Sequence, residues 1–254
     1  MPCFPTLSLS VVSHGHDALL AALMRDLGSA SRVFPDIEVI VTENIPGNAS
    51  ALAETAGFPC RVICNPSPKG FGANHNAAFQ LTRAQYFGVL NPDLRIPDVT
   101  VFAQLIEVLR LRPGVAGPRV MGPEGAIEDS ARRVPTPRRI FERAVLGRRR
   151  PDYAWASEVS MVDWLAGMCL MFDRETYEML GGFDERYFLY CEDVDICLRA
   201  HLAGRSVSWV QAAFVVHDAR RKTLRNKQHF AWHVASLGRL MTSSAYRRYM
   251  QRSP

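Results

Sequence analysis

Leu7-Ser8-Leu9-Ser10-Val11-Val12-Ser13-His14-Gly15-His16-Asp17-Ala18-Leu19-Leu20 decides the fold class. A short apolar, partly β-branched run breaks on small and polar residues. Helical spacing then starts at once, with leucines at Leu19, Leu20, Leu23 and Leu27 and with Asp17 as an N-cap or first-turn acid. The same figure recurs downstream. Residues 38–42 read as a second strand ended by Glu43-Asn44, and residues 61–64 as a third, followed by a Pro/Gly-rich loop over 65–72. A helix is predicted over 73–83. Residues 86–90 form a fourth strand ended by Asn91-Pro92-Asp93, and 99–111 an amphipathic helix. Strands alternating with helices imply βαβ units and a mostly parallel α/β sheet. Such sheets bind ligands beyond the carboxyl ends of their strands, so Ser13, His14, Glu43, Asn44, Asn65, Asn91 and Asp93 belong to one crevice.

After residue 112 the pattern changes. Residues 113–160 are rich in Pro, Gly and Arg and show few clear strands. Residues 163–172 read as one buried strand, 193–202 as a helix, 207–216 as a strand broken near Gln211-Ala212-Ala213, and 222–250 as basic and helical.

Composition bounds the class. With 254 residues, 48% hydrophobic and 22% charged, the chain is neither disordered nor a disulfide-stapled miniprotein. Cys3, Cys60, Cys64, Cys169, Cys191 and Cys197 form no CxxC pair and are expected as reduced thiols. No apolar run approaches the roughly 18–20 residues that span a bilayer, and the first residues lack the features of a signal peptide. The expectation is a cytoplasmic protein. Residues 132–150 hold eight arginines and one acid, and residues 220–252 hold nine Lys/Arg and no acid. The whole chain is only +5, so the remainder is acidic. Two basic blocks suit anionic partners: phosphates, lipid headgroups or nucleic acid.

Four constellations carry chemistry. Asn91-Pro92-Asp93 places a carboxylate at a strand end, where it either makes a simple turn or holds a divalent cation on a diphosphate. Glu192-Asp193-Val194-Asp195 follows the aromatic run Tyr187-Phe188-Leu189-Tyr190. Carboxylates beside apolar surface serve as general bases when desolvation raises their pKa, and they also cap helices. His217 closes a strand as a structural residue or a metal ligand. Lys69-Gly70-Phe71-Gly72-Ala73-Asn74-His75-Asn76 brings small residues to a helix start, which favours anions. It is neither the dinucleotide fingerprint, since His75 replaces the third glycine, nor a Walker A loop.

Taken in order over residues 7–240, these pieces resemble the family 2 glycosyltransferases, inverting enzymes of the GT-A fold, and among them bacterial rhamnosyltransferases. The resemblance is carried by Ser10-Val11-Val12-Ser13-His14, Val41-Thr42-Glu43-Asn44, the Gly70 to Asn76 stretch, Leu90-Asn91-Pro92-Asp93, Asp163-Trp164-Leu165-Ala166-Gly167, Gly182-Phe183-Asp184-Glu185, Phe188 through Arg199, and Val216-His217. It implies an α/β GT-A fold: a single Rossmann-like mixed, mostly parallel sheet flanked by helices. The expected organisation is one domain over 1–254, with a nucleotide-sugar half (1–112), an acceptor and catalytic half (113–219) and a basic helical tail (220–254). The implied donor is a dTDP or UDP sugar, with dTDP-rhamnose first, contacted by Ser13, His14, Glu43, Lys69, Gly70, Asn76, Asn91 and Asp93. Asp93 and His217 would hold Mg²⁺ or Mn²⁺. Asp193 matches the general base, with Glu192 orienting acceptor or base, and Trp164 and Gly167 line the acceptor side. Asn91 replaces the first acid of the D-x-D element, Glu43 a shorter Asp, and Pro68 a loop Asn.

The implied reaction places a sugar on a hydroxyl of a cell-surface polysaccharide or lipid-linked saccharide. Arg132, Arg133, Arg138 and Arg139 then read as a mobile lid near acceptor or diphosphate. The tail interleaves cations with Phe230, Trp232, Leu237, Leu240, Met241 and Tyr249, so it either lies on an anionic inner membrane face or packs on the domain. Two other readings compete: a catalytically silent nucleotide-sugar-binding protein and a basic nucleic-acid-binding protein. No nucleic-acid motif supports the second. A nucleotidyltransferase usually opens with a Gly-rich, Arg-containing loop after its first strand, where Ser13-His14-Gly15-His16 stands here.

Overall fold

The structure, a computed structural model, describes residues 5–144, 151–155, 158–217 and 227–252. The first half lays down β1 (Leu7–His14), β2 (Ile37–Ile45), β3 (Cys60–Cys64) and β4 (Tyr86–Leu90), with α1 (Asp17–Val33), α2 (Ala49–Glu54) and α3 (Phe71–Phe79) between them. These strands pair in parallel in the order β3-β2-β1-β4.

The same sheet continues with residues of the second half. After β5 (Leu94–Arg95) and α4 (Val101–Leu111) come β6 (Gly114–Met121), β7 (Ala131–Arg132), α5 (Pro137–Ala144), β8 (Val159–Met161), β9 (Trp164–Leu165) and β10 (Cys169–Asp173). They are followed by α6 (Arg174–Leu180), α7 (Glu192–Leu202), β11 (Ser206–His217), α8 (Lys227–Thr242) and α9 (Ser244–Arg252). β10 joins β4 to β6 antiparallel, β11 runs parallel to β6, and β5 and β8 pair antiparallel with β11. The result is a mixed sheet with helices on both faces.

Alternation explains the two cores. Leu7, Leu9 and Val11 point to the face covered by Leu20, Leu23 and Leu27 of α1 and by Phe102, Leu105 and Leu109 of α4. Phe87 and Val89 of β4 and Phe172 of β10 point to the other face, with Tyr177, Phe183, Ile196 and Leu198. A buried ion pair locks that second layer. Arg199 Nε donates to Asp195 Oδ2 at 2.7 Å while its other nitrogens reach the carbonyls of Leu180 and Gly182 at 2.6 and 2.9 Å.

Several expectations need correction. The α3 helix starts at Phe71 and ends at Phe79 rather than spanning 73–83. The Pro/Gly/Arg-rich stretch hides β6, an eight-residue strand in the middle of the sheet. Pro118 is tolerated there because it pairs with Val210, just where the β11 register slips before Phe214. The single strand expected over 163–172 is two. β9 pairs with β7 in a separate two-stranded sheet, β10 belongs to the main sheet, and the loop 166–168 crosses between them. The β11 irregularity falls near Gln211-Ala212-Ala213, as the sequence indicates. Within the basic tail, residues 218–226 lie outside the described residues. The rest packs on the domain: Leu240 is fully buried, Ser236 Oγ donates to Leu189 O at 2.8 Å, and Tyr246 Oη donates to Pro135 O at 3.1 Å. Among the described residues no helix is long and apolar enough to cross a membrane.

Candidate active site

The crevice is built from strand ends. Ser13 pairs with Glu43, and Glu43 with Cys64, so the ends of β1, β2 and β3 lie side by side. An asparagine relay then fixes the loop before α3. Asn44 Oδ1 accepts from Lys69 N and Asn65 Nδ2, both at 2.8 Å, and Asn44 Nδ2 donates to Lys69 O at 2.8 Å. Asn65 Nδ2 also donates to Asn74 Oδ1 at 2.7 Å, and Asn74 Nδ2 reaches Gly70 O at 3.0 Å. The relay leaves the Lys69 side chain exposed at the rim. Gly70 is required by close approach: a Cβ there would stand 2.9 Å from Phe188 O, which accepts the Phe71 N–H at 2.9 Å. His75 is a core residue. Its Nδ1 meets Ser10 Oγ at 2.8 Å, and burial pulls its pKa down to about 3, so it stays neutral.

Two expected donor contacts are occupied by structural work. Glu43 Oε1 accepts the Ala49 N–H at the start of α2 at 2.6 Å, and Oε2 accepts from Cys64 Sγ. Asn76 uses all four hydrogen-bonding positions. Nδ2 donates to Phe183 O and Glu185 Oε1, while Oδ1 accepts from Tyr177 Oη and Phe183 N. Asn76 therefore holds the turn at Gly182 and Phe183 and has no capacity left for a ligand. His14 stands at the exposed end of β1, its pKa lowered by partial burial and then by His16 and His229.

Asp93 and His217 are 124 residues apart but meet because β5 pairs with β11, with Leu94 opposite His217. His217 Nε2 lies 3.2 Å from Asp93 Oδ2, and Nδ1 lies 2.9 Å from Glu128 Oε2. Burial acts to lower the His217 pKa, but hydrogen bonds and charge from Asp93 and Glu128 outweigh it and hold it above the usual value. A ring nitrogen bonded to a carboxylate must carry a proton, so Nδ1–H donates to Glu128. Nε2 then faces a carboxylate oxygen, an approach that needs a proton or a cation in between. Asp93 Oδ1 is buried with no partner among the described residues. A hard cation fits both observations, with Glu128 orienting the imidazole from its far side. Among the described residues no group of three His, Cys, Asp or Glu side chains could hold a metal ion, so Asp93 and His217 are a pair there rather than a complete ligand set. Glu128 has no motif in the sequence and was missed by it.

The acid pair sits at the other end of a short loop. Tyr190 and Cys191 have φ of 74° and 65°, the only positive values outside glycine among the described residues. Such residues cost about 1–3 kcal/mol each and persist where the surroundings enforce them. They turn the chain so that α7 starts on Glu192. Asp193 Oδ2 accepts the Gly167 N–H at 2.9 Å, and Oδ1 accepts the Val194 N–H at 2.8 Å. Asn91 N donates to Met168 O at 2.9 Å, so one loop ties the Asp193 carboxylate to the β4 end that leads into Asp93. Burial raises the Asp193 pKa, against the two N–H donors and the charge of Arg132. Asp193 keeps part of its surface open, while Glu192 is 5% exposed. Burial, then the Asp193 charge, pushes Glu192 up to about 8, and the two acids titrate as a pair.

The four arginines of the expected lid are not equivalent. Arg138 pairs with Glu142 at 3.0 Å and Arg139 with Asp152 at 3.1 Å. Arg132 lies over the Trp164 ring at 5.2 Å, and Arg133 over Tyr153 at 5.5 Å. Trp164 Nε1 donates to Arg133 O at 2.9 Å. On the far side α8 closes on the aromatic run, with Tyr190 Oη 2.9 Å from His229 Nδ1 and the rings of Phe188 and Trp232 4.8 Å apart.

A family model described as glycosyltransferase like family 2 matches residues 5–235. The N-acetylglucosaminyl-diphospho-decaprenol L-rhamnosyltransferase of Mycobacterium tuberculosis is 36% identical over 159 residues, 58% of this chain and 52% of that protein. The match thus spans about half the length of that relative. The rhamnosyltransferase WbbL of Escherichia coli K12 is 26% identical over 249 residues, 91% of this chain and 90% of that protein. Among solved structures, the mannosyltransferase PcManGT of Pyrobaculum calidifontis, in complex with GDP-Man and Mn²⁺, superposes with a TM-score of 0.64 at 17% identity. It covers 94% of this chain and 65% of its own. The fold is that of the GT-A glycosyltransferases.

The Glu192 shift makes a stability prediction. Between pH 4.5, the ordinary value, and about 8, the folded chain keeps a proton that the unfolded chain has released, so Glu192 weakens the fold progressively as pH rises. Glu192→Gln removes that term. Its melting temperature relative to the parent should climb across this window and level off above it. A difference independent of pH would contradict the assignment.

Proposed function

This chain belongs to glycosyltransferase-like family 2, and on that premise we propose that it is an inverting glycosyltransferase using a nucleoside-diphosphate sugar, first of all dTDP-L-rhamnose. The observation that carries the reading is the single loop, residues 166–168, that joins Asp193 to the strand end bearing Asp93. A base and a cation corner held by one loop suit a reaction in which a proton is removed and a diphosphate departs. The relatives' names support rhamnose and a lipid-linked saccharide acceptor.

The nucleotide lies at the ends of β1 and β2, with the exposed His14 and Lys69 at the rim and the buried Ser13 and Gly70 behind them. Asp93 and His217 hold a divalent ion, Mg²⁺ or Mn²⁺, and Glu128 fixes the imidazole. When bound, that ion neutralises the diphosphate leaving group. Asp193 takes the proton of the acceptor hydroxyl as its oxygen bonds to the anomeric carbon from the face opposite the breaking C1–O bond to diphosphate. The configuration inverts, and the nucleoside diphosphate leaves with the electron pair. The raised Asp193 pKa makes it a stronger base than an exposed carboxylate. Glu192, protonated near neutrality, adds no second negative charge beside it. Phe230 and Val234, exposed one turn apart on α8, and the basic tail suit peripheral contact with an anionic membrane bearing the acceptor.

Two measurements test this. Asp193→Asn should lower the transfer rate by about 10²-fold or more while leaving the donor KM little changed; near-parental transfer would remove Asp193 as base. The parent should sediment with liposomes containing anionic lipid, less so at high salt. Binding indifferent to lipid charge would remove the membrane contact.

A further inference from the structure

A cavity of about 440 Å³ opens on the second half of the chain, between residues 127–131, residues 151–155 and Trp209 of β11. That volume falls in the ~300–1,000 Å³ range of small-molecule pockets. Three aromatic side chains, Tyr153, Trp155 and Trp209, contribute to its wall. Two polar side-chain groups of its lining are unmatched. Ser130 is 2% exposed and Trp209 4%, yet Ser130 Oγ and Trp209 Nε1 have no hydrogen-bond partner among the described residues. Leaving such groups unpaired in the interior carries a desolvation cost that a ligand offering hydroxyls would remove. Trp155 is 56% exposed, which is unusual for the largest apolar side chain. Its ring is held there by the guanidinium of Arg119, 4.3 Å from the ring centroid. A held, open indole face beside buried unmatched donors matches a molecule with a C–H face and a hydroxyl edge, which is a pyranose ring.

The cavity also borders both chemical corners. Glu128 lines it and holds His217 Nδ1. Ser130 lines it, and its carbonyl accepts the Ala166 N–H at 2.8 Å, next to the Gly167 N–H that holds Asp193. The strand ends of β1 and β2, where the nucleotide is placed, belong to the other half of the chain.

We propose that this cavity is an acceptor-side saccharide subsite, taking a pyranose ring stacked on Trp155 and hydrogen-bonded by Ser130 and Trp209. The inference rests on the glycosyltransferase reading for its place in the reaction, but not for its chemistry. A ring held there lets a saccharide chain be gripped beyond the reacting hydroxyl, so acceptor length would set affinity.

Saturation-transfer NMR on the full chain tests it, with the methyl glycosides of glucose, N-acetylglucosamine, galactose and rhamnose as probes and geraniol as a lipid probe. At least one glycoside should receive saturation on its ring protons from the parent. Trp155→Ala and Trp209→Phe should weaken that glycoside about tenfold, the latter keeping an aromatic ring while losing the indole N–H and part of the ring volume. Since Trp155 is exposed, its truncation leaves the core intact, and unchanged melting of that variant would verify the fold; Trp209→Phe, in the core, should melt somewhat lower but still in one cooperative transition. No glycoside binding to the parent, binding indifferent to both substitutions, or Trp155-dependent binding of geraniol alone would overturn the subsite. Release of nucleoside diphosphate from dTDP-rhamnose without Trp155-dependent glycoside binding would sink the subsite and leave the transferase reading. Trp155-dependent glycoside binding with no release from any nucleotide sugar would uphold the subsite and sink the transferase reading.

Discussion

Three hydrogen bonds made by the backbone of residues 166–168 hold the candidate site together, two to backbone and one to a side chain. Ala166 N reaches Ser130 O, Gly167 N reaches Asp193 Oδ2, and Met168 O receives Asn91 N. The loop exists because the chain leaves the small β7–β9 sheet and joins the main sheet at Cys169, opposite Leu90. That crossing pins the start of α7, the end of β4 and the 128–132 segment to one another. Without it, the acid pair, the Asp93–His217 corner and the aromatic cavity would be three unrelated features of one sheet edge.

Charge is managed by burial and partners together. Glu192 and Asp193 crowd two acids into a largely desolvated helix start, reached through the left-handed pair Tyr190 and Cys191. The helix dipole and two N–H donors favour the Asp193 anion, while the nearly sealed Glu192 holds its proton. At the other corner Glu128 and Asp93 flank one imidazole, leaving Asp93 Oδ1 buried and without a partner among the described residues. Both arrangements are costly in an empty fold.

Much of the first half was legible from the residues. Short apolar, partly β-branched runs ended by polar residues indicated four strands, and the structure lays the ends of β1, β2 and β3 side by side. The second half was not. β6 carries Gly114, Gly117 and Pro118, which read as loop, and only the slip in β11 makes Pro118 acceptable. Glu128 and Ser130 carry no motif, and their importance comes from strand register and a loop crossing, which no local pattern encodes. Asn76 looked like a ligand residue because it follows a glycine-rich turn, but its amide is consumed by the Phe183 turn. Asp93, Asp193 and His217 stand out in the sequence as polar residues at strand and helix ends, their expected roles come from the ordered resemblance, and the β5–β11 pairing and loop 166–168 connect them in space.

The central claim is that Asp93 and His217 hold a cation against a nucleoside diphosphate in this crevice. The most direct measurement is thermal unfolding of the parent and of His217→Ala with dTDP, each with and without Mn²⁺. Saturating a native-state site at about one hundred times its Kd adds about 2.7 kcal/mol, which is easily seen. The account predicts that dTDP stabilises the parent only when Mn²⁺ is present, and that His217→Ala loses this gain. Equal stabilisation with and without the metal, or in both chains, would contradict it.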